Sequence, residues 1–102
     1  MPIIKGTTPT ITFNFSEILT EDIAKAILTI SQYGRTAIKR DLSSAITEER
    51  SISWKLRQDE TLKLTTGTES EIICDWLLND GTRGRSIIRK ESVEHTGVNE
   101  VI

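Results

Sequence analysis

The sequence predicts an all-β protein, a two-sheet sandwich with one or two short helical turns between strands. Three observations carry this. Two segments, Thr10–Phe15 and Ser51–Leu56, alternate apolar and polar residues strictly, as half-buried strands do. Each is followed by an acidic helical-turn signature, Thr20-Glu21-Asp22-Ile23, read as a Thr20 N-cap with acidic first-turn residues, and Gln58-Asp59-Glu60-Thr61-Leu62. Each of these turns precedes a further strand, and a one-turn helix between strands is a common way to cross between sheets. Two such crossings, with short strands at regular spacing, favour a sandwich over a barrel.

A long hairpin organises the rest of the chain. Its first arm, Glu71 to Leu78, places Ile72, Cys74, Trp76 and Leu78 on one face. Asn79-Asp80-Gly81 supplies the turn, and Arg83 to Val93 runs back.

The elements follow in chain order. Residues 1–7 form an N-terminal arm or an edge strand, and Pro9 removes a backbone donor, as tolerated at a strand start. In Thr10–Phe15, Ile11, Phe13 and Phe15 face one way. Residues 26–31 form a strand rich in β-branched residues, ended by a turn at Gln32-Tyr33-Gly34. A helix reaching Ile30 is the alternative, because Ile23, Ile27 and Ile30 share helical spacing. Thr36 to Arg40 returns as a more polar strand near an edge. Asp41 to Arg50 reads as a polar connection. Ile52, Trp54 and Leu56 then point inward, and residues 65–68 form a loop. The halves share a layout without residue identity: a strand, an acidic turn, a strand, a glycine turn at Gly34 or Gly81, and a strand. Residues 94–102 read as a loosely held tail.

The totals agree with one domain over residues 1–102. A chain of 102 residues buries about two-thirds of its unfolded surface, enough for one core. Charged residues make up 27% and the net charge is −2, which argues against a dedicated nucleic-acid binder. Cys74 is the one cysteine, so no internal disulfide forms. The N-terminal segment is too short and too polar for a secretory signal, and no apolar run reaches the ~18 residues of a membrane span. A reducing compartment follows as the expectation.

Side chains with readable reaction chemistry are few. His95 is the one histidine and lies in the polar tail; Cys74 reads as a small buried hydrophobe. One Cys and one His cannot supply a closed metal site of about four ligands. The carboxylate pairs Glu21-Asp22 and Asp59-Glu60 fall where helical first turns favour negative charge. No catalytic residue, cofactor or metal is therefore expected, nor a small-molecule substrate. Gly81-Thr82-Arg83-Gly84-Arg85 lacks the Walker pattern and reads as a hairpin tip. With Arg89 and Lys90 it is the densest basic feature, so Asp80, Arg83, Arg85, Arg89 and Lys90 are the candidate partner contacts. Trp54 and Trp76 read as core anchors. The apolar ends Pro2-Ile3-Ile4 and Val98–Ile102 could add as strands to a neighbour's sheet.

Several segments resemble a family of roughly hundred-residue proteins from tailed phages and prophages of Gram-positive bacteria. They are the opening Ile3-Ile4-Lys5-Gly6-Thr7-Thr8-Pro9-Thr10-Ile11-Thr12-Phe13, the acidic turn before Leu28-Thr29-Ile30, and Gln58-Asp59-Glu60-Thr61-Leu62. The turn Asn79-Asp80-Gly81-Thr82 and the end Val101-Ile102 add to them. Together these are similar to the N-terminal immunoglobulin-like module of phage baseplate upper proteins. The resemblance implies an immunoglobulin-like β-sandwich acting as a structural or adaptor module of a tail or baseplate. Its partners would be other phage structural proteins or a second copy of itself, in the host cytoplasm during assembly or in the virion. Two rival readings stand beside it. One is a carbohydrate- or host-surface-binding module; the other is a small regulatory protein holding nucleic acid or a host protein through the basic tip.

Overall fold

The computed structural model describes residues 3–94. Among these, nine strands build two sheets. The larger contains β1 (Ile3–Ile4), β3 (Ile23–Gln32), β4 (Arg35–Asp41), β7 (Glu69–Leu78), β8 (Arg83–Arg85) and β9 (Arg89–Glu94), in the order β1-β9-β7-β3-β4 with β8 also paired to β7. The smaller contains β2 (Thr10–Asn14), β5 (Ile46–Glu48) and β6 (Ser51–Lys55), in the order β2-β6-β5. The all-β sandwich read from the sequence is thus the observed architecture.

The layout shared by the two halves has a structural counterpart. β2 pairs antiparallel with β6 in the small sheet, and β3 pairs antiparallel with β7 in the large one. One half crosses between the sheets through a 3-10 turn at Thr20–Asp22, the other through α1 (Gln58–Thr61). The symmetry fails at the edges: β1 pairs parallel with β9 rather than with β2, and β5 pairs with β6.

Alternation decides which side chains are inside. Ile11 and Phe13 of β2 and Ile52 and Trp54 of β6 meet Ala26, Leu28, Ile30, Ile72 and Cys74 of the large sheet. Ile3, Ile23, Ile38, Leu56, Leu64 and Val93 complete the buried cluster. Burying one such side chain is worth about 1.5–3 kcal/mol, so this shared interior is what holds the sheets together. Trp54 also bridges them with a directional bond: its indole N–H donates to the Asp41 carbonyl at the end of β4 (2.9 Å). The strand reading of residues 26–31 holds and the helical alternative does not. The strand runs over ten residues, because Ala26, Leu28 and Ile30 face the core while Ile27 and Thr29 alternate outward.

Buried polar groups fasten the crossings. Arg40 Nη1 of β4 donates to Glu60 Oε1 of α1 (2.6 Å), with side chains only 14% and 6% exposed. The same Oε1 accepts the Arg57 N–H (2.9 Å), which satisfies a donor at the helix start. Gln32 holds the chain at Thr65 by exchanging two hydrogen bonds with its backbone (2.8 and 3.0 Å).

Several expectations change. Residues 41–50 are not merely a connection: they contain a 3-10 turn at Leu42–Ser44 and the edge strand β5. All three residues of β5 are exposed, so no alternation marks it. Thr20 does not cap the acidic turn, since Leu19 holds that position. Its hydroxyl instead donates to the carbonyls of Glu48 and Glu49. Of the two readings for residues 1–7, the described part takes the edge strand: Ile3 is buried and pairs with Val93. Phe15, Trp76 and Leu78 pack on the core only partly buried. His95, the tail from Thr96 and Pro2 lie outside the described residues.

Candidate functional site

The hairpin places its two sides in different roles. Ile72 and Cys74 are fully buried, and burial pushes the Cys74 thiol up from 9.0 to about 12, helped by the neighbouring Asp75 charge. At the tip, Gly81 takes a positive φ of 92°, which glycine adopts without strain. Asp80 Oδ1 accepts the Thr82 N–H (2.9 Å), and this bond holds its carboxyl below the usual range. Asp80 therefore shapes the turn first.

The return arm is not one strand. In β8 the paired residue numbers total 160 (Asp75 with Arg85); in β9 they total 161 (Ile72 with Arg89). One extra residue is inserted between them, a β-bulge that sets Ile87 and Ile88 against Ile73. Ser86 fastens its start: its N–H donates to the Cys74 carbonyl and its hydroxyl accepts the Cys74 N–H (both 2.9 Å). The bulge holds Ile87 at 92% and Ile88 at 48% exposure.

The five predicted contact residues do not form one patch. Arg83 and Arg85 point from the outer face of the large sheet, where they join Lys25, Ile27, Asp75 and Leu77 along a groove of about 580 Å³. Arg85 Nε donates to Asp75 Oδ1 (2.6 Å), an ion pair that raises the arginine pKa further. Lys90 lies farther along, exposed and paired in register with Glu71.

Arg89 turns the other way. Its Nη2 donates to the Thr12 carbonyl (2.7 Å), and its guanidinium lies 4.8 Å from the centre of the Phe13 ring. It therefore straps β9 to the free edge of β2 and occupies an acceptor that an incoming strand would need. Around it, Phe13, Phe15, Trp76, Ile87 and Ile88 line a second groove of about 410 Å³ on the open flank of the sandwich. Phe15 and Trp76 meet edge to face at 5.1 Å. Trp76 lines both grooves.

Reading the sequence missed Lys25, Ile27 and Leu77 as neighbours of the basic tip, because their juxtaposition depends on strand register. It also missed the Ile87-Ile88 knob, although a signal was present. Two adjacent isoleucines in a strand cannot both face the core.

Among the described residues, no three or more His, Cys, Asp or Glu side chains converge as a metal site would require, and no helix is long and apolar enough to cross a membrane. No protein-family model, curated protein or solved structure matches the chain at a significant level.

Proposed function

We propose that the chain is a non-enzymatic docking module of a phage or prophage tail or baseplate, working through protein–protein contacts. The observation that carries this reading is the Ile87-Ile88 knob. It is an apolar pair held out by a bulge beside an aromatic groove, on a framework whose core is already complete without it. Exposing an isoleucine forgoes about 1.5–3 kcal/mol of burial, so such a pair is best accounted for by a surface that covers it. The resemblance of the opening segment and of the Gln58–Leu62 and Asn79–Thr82 turns to baseplate modules supplies the setting.

The nucleic-acid alternative draws less support. Of the four cations on the return arm, Arg89 is committed to Thr12 and Phe13 and Arg85 to Asp75, so the basic tip offers a phosphate backbone Arg83 and Lys90 rather than all four.

The test is co-expression with the proteins encoded beside it. Co-elution with a tail or baseplate protein, lost on Ile87→Asp with Ile88→Asp, is the expected result. A neighbourhood of metabolic genes, or co-elution that survives both substitutions, would overturn the reading.

A further inference from the structure

We infer that the groove on the outer face of the large sheet is a second docking site, which takes an extended acidic segment carrying an apolar side chain between its carboxylates. It deepens the docking reading above, and names the chemistry of one partner.

The argument starts from register. Lys25, Leu77 and Arg83 are aligned across β3, β7 and β8, and Ile27, Asp75 and Arg85 form the adjacent row. Alternation turns all six outward, because their neighbours Ala26 and Cys74 are in the core. The floor is apolar, from Ile27 and Leu77, and cations stand on both sides of Leu77. Asp75 is ion-paired with Arg85, whereas neither the Lys25 nor the Arg83 side chain has an ion-pair or hydrogen-bond partner among the described residues. The groove holds three cations against one carboxylate on a chain whose net charge is −2. That local reversal of sign selects an anionic partner.

Spacing narrows the shape. Neighbouring strands lie about 4.8 Å apart, which puts the backbones of Lys25 and Arg83 roughly 10 Å apart with Leu77 between them. In an extended segment, side chains at alternate positions share a face and repeat about every 7 Å. Acidic residues two positions before and two after an apolar residue therefore stand about 13 Å apart. The lysine and arginine stems can splay to meet them while the apolar residue rests on Leu77. Nucleic acid offers the charge but no apolar side chain at that centre.

The test uses the intact chain labelled with ¹⁵N and an acetylated, amidated peptide of about nine residues with glutamates two positions before and two after a central leucine and threonine at the positions between. Three controls accompany it: the same peptide with serine for the leucine, with lysine for the glutamates, and a single-stranded oligodeoxynucleotide of similar length. The expected result is a titratable shift of the Lys25, Leu77 and Gly84 amides with the first peptide. The affinity should fall with added salt and drop about tenfold on Lys25→Glu with Arg83→Glu, the order set by two exposed ion pairs of up to ~1 kcal/mol each. The serine control should bind more weakly and the lysine control not at all. Equal binding of the lysine peptide, tighter binding of the oligonucleotide, or no shift at millimolar peptide would overturn the inference. Unchanged amide spectra elsewhere in the charge-reversed protein exclude misfolding as the cause. If the peptide fails while the Ile87 and Ile88 substitutions still break a complex, this inference falls and the docking reading stands.

Discussion

Gly84→Ala should destabilise the protein by about 2 kcal/mol, although it adds one methyl to a half-exposed residue. Gly84 is paired with Trp76, and a β-carbon placed on it would lie 2.4 Å from Cε2 and Cζ2 of that ring and 2.5 Å from Nε1. Carbon atoms in contact sit at about 3.5–4.0 Å, so the ring must retreat by more than 1 Å. Phe15 stands edge-on at 5.1 Å and resists that movement. Overpacking of this kind costs about 1–3 kcal/mol, and loosening the aromatic pair adds about 0.5–1.5 kcal/mol. Alanine recovers about 0.4–1 kcal/mol by restricting the unfolded chain. Gly84 does not have a positive φ, so the net cost is steric. At roughly 4–8 °C per kcal/mol for a domain of this size, the melting temperature should fall by about 8–16 °C. Thermal unfolding followed by circular dichroism measures it. A Trp76→Leu background should reduce the cost of Gly84→Ala to under ~0.5 kcal/mol, because the clashing ring is gone. A Gly84→Ala protein that melts at or above the parent, or an equal cost in both backgrounds, would refute the packing argument.

Ser70→Ala should be neutral or stabilising by up to ~1 kcal/mol in urea titrations. The Ser70 hydroxyl is fully buried, and among the described residues it is the one buried side-chain polar atom without a hydrogen-bond partner, so its removal relieves a desolvation cost. Alkaline pH should weaken the fold through Cys74. Its folded pKa of about 12 lies above its ordinary 9.0, so the folded state holds the proton more tightly. Stability from this group is complete below pH 9 and is lost as the pH rises from 9 towards 12. Urea midpoints from pH 7 upward should decline more steeply in the parent than in Cys74→Ala; parallel declines would remove Cys74 as the cause.

How far the sequence reveals the fold depends on how many residues each feature needs. Thr10–Phe15 and Ser51–Leu56 are readable because one face is wet and the other dry, and the resulting 2.0 period needs only local residues. β5 is invisible for the same reason, since Ile46, Thr47 and Glu48 are all exposed. The two crossings are legible as acidic turns, although the role of Thr20 is not, because its partners lie 28 and 29 residues away. The candidate site is the least readable part. Arg83, Arg85, Arg89 and Lys90 look alike in one dimension. A single inserted residue between Arg85 and Arg89 changes the facing of the return arm, and Arg89 goes to Thr12 while Arg83 stays on the outer sheet.

On the proposed reading, the inner side of the hairpin builds the fold and its bulge serves docking. The most direct test of that reading is the Ile87→Asp, Ile88→Asp protein, with melting temperature and partner co-elution measured on one preparation. The expected melting temperature lies within about 8 °C of the parent, as two surface substitutions within about 0.5 kcal/mol each allow, together with loss of the complex. A fall of 10 °C or more would place these isoleucines in the core, and a complex that survives would mean that the bulge is not the contact.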